Sequence, residues 1–378
     1  MGRRTNGEGS ITLYRDGRWC GRYTIHTLKG PKRKAIYGKT KAEVRKKLTK
    51  AIADRDNGLV FDAGNLTVEE YLLRWLNDSV KASVKQRTFE CYEGVVRNHL
   101  VPAFGSKRLD KLSPALVQCF YQQKLDSGLG RRTVQLIHVT LHKALKQAVR
   151  WGIVPRNATE AVDVPRPHKK AIQPLSPKQA NTFLRIAKED RLEVLYVLAI
   201  TTGLRRGELV GLRWQDVDLE AKMVSVCQQL VRSKDGLHFT TPKNGKGRNV
   251  AITDRTVEAL NEHGKRQAEE KKMMENLWQE TGLVFTSAKG TVLDADNLVK
   301  RSFKPLLGRA GLPDMRFHDL RHTCATLLLS KGIHPKIVQE LLGHSSISIT
   351  LDTYSHCLPN MQDKAVRAMD EIFDPPNP

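Results

Sequence analysis

The stretch "HDLRHT", His318 to Thr323, puts two histidines, an aspartate and an arginine on what reads as the first turn of a helix. The apolar run Ala325 to Leu329 follows, so this is a helix the fold buries. Three chemistries are open to such a cluster. It can be a hydrogen-bonded polar patch at the edge of a core. It can hold a metal, because His318 and His322 are four residues apart, as in the zinc motif H-E-x-x-H. It can grip a phosphate, because His318 and Arg321 share one face of a helical turn. The metal reading fits poorly: Asp319 stands where the motif needs the longer glutamate, and Arg321 would set a fixed cation beside a dication.

Three further stretches carry reactive residue types. "TTGLRRGEL" holds Arg205 and Glu208 just after Gly203, which ends an apolar helix. "TPKNGKGRNV" is a turn between two strands with Lys243, Lys246 and Arg248. "LGHSSISITLDTYSH" holds His344, at the edge of a helix closed by Gly343, and Tyr354, the only tyrosine after Tyr196. Together these groups suit phosphoryl transfer. Two arginines can bind the non-bridging oxygens of one phosphate through planar forks of donors, and so offset the charge that builds as phosphorus becomes five-coordinate. A tyrosine can attack that phosphorus and form a covalent link. Its ordinary pKa of about 10 is too high for neutral pH, so cations or a proton-accepting histidine must help. A lysine on the hairpin could protonate the departing deoxyribose oxygen, and no metal is required. Each group alone has a plainer reading. Tyr354 can be a half-buried tyrosine, Arg205 and Glu208 a surface pair, and Asp319 a helix cap. His322 reads as structural.

Bulk composition narrows the partner. The 378-residue chain has 40% hydrophobic and 27% charged residues and a net charge of +23. Residues 1–60 hold 16 Lys and Arg against 5 Asp and Glu, so 11 of those charges lie in one short segment. A polyanion is the natural partner. No segment joins a basic face to an exposed apolar one, so nucleic acid is favoured over lipid. No apolar run is long enough to span a bilayer, and the N-terminus lacks the apolar stretch of a signal peptide. Six scattered cysteines without a C-x-x-C pair point to a reducing cytoplasm and away from disulfides or a cysteine zinc site.

The elements that must position these groups form a multidomain chain. Residues 1–60 predict a small three-stranded β-sheet plus helix. "SITLYR" and "RWCGRYTI" flank Asp16-Gly17, a hairpin signal, and "RKAIYG" follows a turn at Gly30-Pro31. Thr40 and Glu43 form a capping box for a helix ending near Gly58. Arg15, Arg18 and Arg22 stud the strands, and such a basic sheet can enter a DNA groove. Residues 64–152 predict an all-α helical bundle. Its starts include a Thr67/Glu70 capping box and Ser113-Pro114, and Val134, Ile137, Leu141, Leu145 and Ala148 stripe the last helix. Lys85 and Arg87, and Arg131, Arg132 and Thr133, fall at helix starts, where phosphate is favoured. Residues 153–175, with four prolines in "GIVPRNATEAVDVPRPHKKAIQPL", read as a linker. Residues 176–360 predict a mixed α+β, mainly helical domain. "MVSVCQQLVRS", "LHFTTPK" and "GRNVAIT" form its small antiparallel sheet. A tail, 361–378, follows.

"TGLRRGEL", "TPKNGKGRNV", "HDLRHT", "LGHSS" and "DTYSH", in this order, resemble the tyrosine recombinase (phage integrase) family. The likeness spans residues 176 to about 360, and less specifically the helical segment and the basic sheet, which is similar to the arm-binding domain of integrases from phages and conjugative transposons. The resemblance implies a site-specific DNA recombinase that integrates and excises a mobile element through 3′-phosphotyrosyl intermediates. It implies that Tyr354 is the nucleophile, that Arg205 and Arg321 bind the scissile phosphate, and that His318 and His344 hydrogen-bond it and assist proton transfer. Lys243 would be the general acid, with Lys246 as its alternative, and Glu208 would buttress the site. No cofactor is implied. The partners implied are attachment-site DNA, three further copies in a homotetramer, an excisionase and a DNA-bending host factor, on the bacterial nucleoid. The tail could pack on a neighbouring protomer. Two other functions share these features: a DNA-binding regulator with an inert catalytic-like domain, and a type IB topoisomerase.

Overall fold

The structure is a computed structural model that describes residues 9–27, 30–56, 65–167, 172–242, 245, 247–355, 366, 369, 370, 372 and 373. The chain divides into two units, Met1–Lys169 and Lys170–Pro378. Among the described residues no helix is long and apolar enough to cross a membrane.

In the first unit, β1 (Ser10–Leu13), β2 (Trp19–Thr27) and β3 (Gly30–Gly38) form an antiparallel sheet in the order β1-β2-β3. The Asp16-Gly17 turn needs its glycine, which sits at φ +80°. Strand alternation turns Tyr23 and Ile25 toward Leu48 of α1 (Lys41–Asp56), while Arg22 and Tyr37 are exposed. The turn expected at Gly30-Pro31 is already strand, since Gly30 pairs with Thr27. The box at Thr40 is displaced by one residue: Thr40 Oγ1 accepts the Glu43 N–H at 3.2 Å, but the Glu43 carboxylate accepts from the Lys39 N–H at 3.0 Å.

The helical segment of this unit comprises α2 (Val68–Trp75), α3 (Gln86–Val95), α4 (Val101–Phe104), α5 (Pro114–Asp126) and α6 (Arg131–Arg150). Both halves of the Thr67/Glu70 box are made, and Ser113 caps α5. The α6 stripe is buried among Tyr71, Leu72, Trp75, Phe120 and Tyr121. Part of the stretch expected as a linker packs here too: Ile153, Val154 and Ala158 join this core. Asn157 fixes them, because its side chain accepts from the Thr159 N–H and donates to the His142 carbonyl.

The second unit is built around α8 (Glu193–Thr202), whose residues Val194–Ile200 are all buried. A helix apolar on every side belongs in the centre, and α7 (Pro177–Ala187), α10 (Asp254–Met274) and α13 (Asp319–Ser330) pack on it. Ser176 and Gln179 close a capping box at the start of α7. Between α9 (Arg206–Val210) and α10 the expected single sheet is two. β4 (Val217–Asp218), β5 (Met223–Val226) and β8 (Arg248–Ala251) make one, and β6 (Gln229–Ser233) with β7 (Gly236–Thr240) makes the other. The run "MVSVCQQLVRS" breaks at Cys227-Gln228, where the Gln228 side-chain amide donates to the Gly211 carbonyl at 2.8 Å. The remaining helices are α11 (Ala295–Leu298), α12 (Lys304–Arg309), α14 (Pro335–Leu342) and α15 (Ile347–Tyr354).

Candidate active site

Two helix C-termini organise the site. α8 ends at Gly203 (φ +62°) and α14 at Gly343 (φ +65°), both in the left-handed conformation that glycine adopts without strain. At Gly203 the space is also closed, since a Cβ there would lie 2.4 Å from a Leu342 methyl. A helix C-terminus leaves carbonyls without partners and bears partial negative charge, and here arginines take them. Arg321, near the start of α13, donates from Nη1 to the Gly203 carbonyl and from Nη2 to the Leu342 carbonyl, both at 2.7 Å. Arg205, which precedes α9, donates from Nη2 to the Gly343 carbonyl at 3.0 Å. Arg248, on β8, donates from Nε to the Leu341 carbonyl at 3.0 Å. Three arginines from separate elements thus occupy three successive carbonyls at the end of α14.

Three like charges so close need a counter-charge, and Glu208 supplies it. It is 1% exposed. It accepts from the Arg205 backbone N–H at 2.9 Å and from Arg205 Nη1 at 2.7 Å. It also accepts from both terminal nitrogens of Arg248, at 3.0 and 2.8 Å. Burial alone would raise its pKa, but Arg248 and then Arg205 hold it down to about 2. Arg321 is 3% exposed. Burial, then the charge of Arg205, pushes its pKa down to about 9, so it stays cationic at neutral pH.

The two histidines expected at the phosphate lie in the same field. His318 immediately precedes α13 and keeps an exposed face. Even so, the protein packed round the rest of the ring, and then His322, Arg321 and Arg205, lower its pKa to about 4. His344 follows Gly343, with Nδ1 2.9 Å from the Thr350 hydroxyl. Burial, then Arg321 and Arg205, lower it to about 4 as well. Both rings are therefore neutral at pH 7 and can donate or accept a hydrogen bond. Tyr354 ends α15 and is 2% exposed, packed with Ala325, Leu329, Val338 and Leu342. Its phenol is near enough to Arg321 to act on that guanidinium's charge.

The structure thus brings together Arg205, Glu208, His318, Arg321, His344 and Tyr354. Lys243 and Lys246 lie outside the described residues. An open cleft of about 440 Å³ beside the cluster is lined by Arg205, Arg248, Gly343, His344 and Ser345, among others.

Three readings change. His322, which reads as structural in the sequence, has Nδ1 2.6 Å from the Tyr354 hydroxyl. Its one sequence signal was its place a turn beyond His318. Asp319 does not cap the helix ahead of it but binds backwards, accepting from the Arg316 N–H at 2.8 Å and from Arg316 Nη2 at 2.7 Å. Arg248, which in the sequence reads as part of a basic turn, belongs to the arginine cluster. Among the described residues no group of three or more His, Cys, Asp or Glu side chains is placed to hold a metal.

The basic residues singled out in the first unit occupy surfaces. Arg15 is exposed in the hairpin turn. Arg18 pairs with Asp16 at 2.6 Å and lies 5.7 Å from the centre of the Tyr37 ring. Arg22 donates to the Tyr14 hydroxyl and lies 5.8 Å from that ring's centre. Lys85 and Arg87 flank the start of α3, and Arg131 and Arg132 open α6, all four exposed, with Thr133 partly buried.

Residues 173–361 match the phage integrase family, and residues 67–125 match its N-terminal SAM-like domain. A tyrosine recombinase XerC-like protein of Caldanaerobacter subterraneus subsp. tengcongensis is 34% identical over 362 residues, 90% of this chain and 92% of that one. In fold, the chain is similar to the Tn1549 transposon integrase in complex with a circular intermediate DNA. The TM-score is 0.69 at 22% identity, over 81% of this chain and 99% of that one. It is similar too to a lambda integrase tetramer bound to a Holliday junction, with a TM-score of 0.58 at 18% identity over 93% and 96% of the two chains. The chain belongs to the phage integrase family, and its class is the tyrosine-type site-specific recombinase.

Proposed function

We propose that the protein cuts and rejoins double-stranded DNA at attachment sites through a 3′-phosphotyrosyl intermediate, and so integrates and excises a mobile element. Tyr354 attacks the scissile phosphorus. Arg205 and Arg321 hold the non-bridging oxygens, His318 and His344 hydrogen-bond them, and Lys243 or Lys246 protonates the departing 5′-oxygen. Glu208, with Arg248, keeps Arg205 in place. The observation that carries this reading is the convergence of two guanidinium groups on neighbouring carbonyls, beside two neutral histidines and a phenol. Such fixed donors stabilise a pentacoordinate transition state without reorganising as charge develops.

The remaining assignments extend this reading. Residues 1–60 act as an arm-type DNA-binding domain, 64–152 as a core-site domain, 153–175 as their connection to the catalytic domain 176–360, and 361–378 as a contact between protomers. A homotetramer on paired sites, assisted by an excisionase and a DNA-bending factor, carries out strand exchange. Support comes from the integrase relatives and from the basic sheet. The test is a suicide duplex nicked beside the cleavage point. It should trap a covalent protein–DNA adduct, Tyr354→Phe should abolish the adduct while binding persists, and recombinant product should form from two marked duplexes. Binding without any adduct in the unaltered protein would sink the reading.

A further inference from the structure

We propose that His322 is the base that takes the phenolic proton of Tyr354 as that oxygen attacks phosphorus. The proposal rests on Tyr354 being the nucleophile. Its foundation is a contact: His322 Nδ1 and the Tyr354 hydroxyl are 2.6 Å apart, within reach for direct proton transfer. The rings are tilted 56° to each other with centres 5.6 Å apart. Tyr354 is 2% exposed and walled by apolar side chains, so bulk water is a poor acceptor for its proton. His318 and His344 have other surroundings. His318 stands edge-on to His322, ring centres 5.0 Å apart, and His344 Nδ1 is engaged with Thr350. The arrangement divides the labour, with His318 and His344 at the phosphate and His322 at the nucleophile.

The ring is in the right state to accept. Among the described residues, the charged and titratable groups that act on it or that it acts on are Arg316, His318, Asp319, Arg321, His344 and Tyr354. Burial lowers the pKa of His322; Asp319 opposes this, and Arg316 and Arg321 add to it. A neutral ring that accepts at Nδ1 carries its proton at Nε2. In the step itself the Tyr354 O–H bond breaks and its proton passes to Nδ1. The freed electron pair forms the new phosphorus–oxygen bond. The bond from phosphorus to the 5′-oxygen breaks, and that oxygen takes a proton from the lysine acid. On rejoining, the 5′-hydroxyl attacks and returns its proton to the lysine. The departing tyrosyl oxygen recovers its own from His322.

The test is single-turnover cleavage of the nicked suicide duplex by the full chain, comparing wild type, His322→Ala, His322→Gln and Tyr354→Phe across a pH series. Removal of a general base should slow adduct formation by roughly 10²- to 10⁴-fold in both His322 variants, with DNA binding unchanged. The acid limb of the wild-type profile should vanish, and added imidazole should raise the rate of His322→Ala. A substrate with sulfur at the bridging 5′ position, whose leaving group needs no acid, should leave the His322 variants slow. The proposal is overturned by near-wild-type rates. Slow cleavage that keeps the wild-type pH profile and ignores imidazole also overturns it, since that marks a packing role. So does full rescue by the sulfur substrate. His322→Gln, close in size to histidine, guards against misfolding in the alanine variant. An adduct that survives Tyr354→Phe would overturn the nucleophile assignment, a result distinct from failure of the His322 variants alone.

Discussion

The arginines at the end of α14 and those of the N-terminal sheet carry the same charge under opposite conditions. At the site, the Arg205 and Arg248 side chains are 23% and 13% exposed, and Glu208 with backbone carbonyls takes up their donors. On the sheet, the Arg18 side chain is 67% exposed, and Arg18 and Arg22 lie over tyrosine rings. A largely buried guanidinium held through two or three of its five N–H donors points one way before any ligand arrives, as transition-state stabilisation requires. An exposed one over an aromatic ring can swing to meet a phosphate and works through summed charge. The difference separates groups whose loss should stop chemistry from groups whose loss should only weaken binding.

The largest effect expected is at Arg321. Arg321→Ala should cut strand cleavage by roughly 10³-fold or more while leaving sheet-dependent binding intact. It also strips the Gly203 and Leu342 carbonyls of a donor, at about 1–3 kcal/mol for each group left unsatisfied. Single-turnover adduct formation and a denaturant melt read the two consequences. Cleavage within tenfold of wild type would erase the contrast between the regions.

Next comes Glu208. Glu208→Ala leaves Arg205 and Arg248 without their shared carboxylate, and breaking such a buried network costs about 3–5 kcal/mol. The same residue sets a pH dependence. Its folded pKa is held at about 2, below the ordinary 4.5, so its contribution is present above pH 4.5 and is lost as pH falls through 2. A shift of that size corresponds to roughly 3 kcal/mol. Acid titration of stability should be flatter for Glu208→Gln over that window, and an unchanged slope would contradict the network.

Smaller effects are expected at the histidines and the sheet. His318 and His344 have folded pKa values near 4, so an unfolded chain binds more protons below pH 6.5 and stability falls as pH drops from there toward 4. Glutamine at either position should make that fall shallower in thermal melts. On the sheet, Arg18→Ala with Arg22→Ala should weaken binding to one class of sites. It should also reduce the slope of log affinity against log salt by about 1 per lost phosphate contact, with cleavage at the crossover site unchanged. Loss of cleavage would contradict the division of roles between the sheet and the active site.

Much of this was legible in the chain because it follows local rules. Gly203 and Gly343 mark helix ends by type and position, Thr67 with Glu70 and Ser176 with Pro177 mark helix starts, and the reactive residues sit beside them. What was not legible depends on contacts between distant elements. His322 gains its meaning only when α15 docks and sets Tyr354 against α13. Arg248 looks like one more basic residue on a turn until α14 presents a carbonyl and Glu208 a carboxylate. Ile153 and Val154 read as linker because their stretch is rich in proline, yet the helical core had room for them.

On the proposed mechanism, Tyr354 becomes covalently joined to DNA under the grip of Arg205 and Arg321. The most direct measurement is mass spectrometry of the proteolysed adduct trapped on a suicide duplex. A nucleotide is expected on the peptide that contains Tyr354, and no adduct from Tyr354→Phe although the duplex is still bound. A nucleotide on any other residue, or an adduct that survives that substitution, would contradict it.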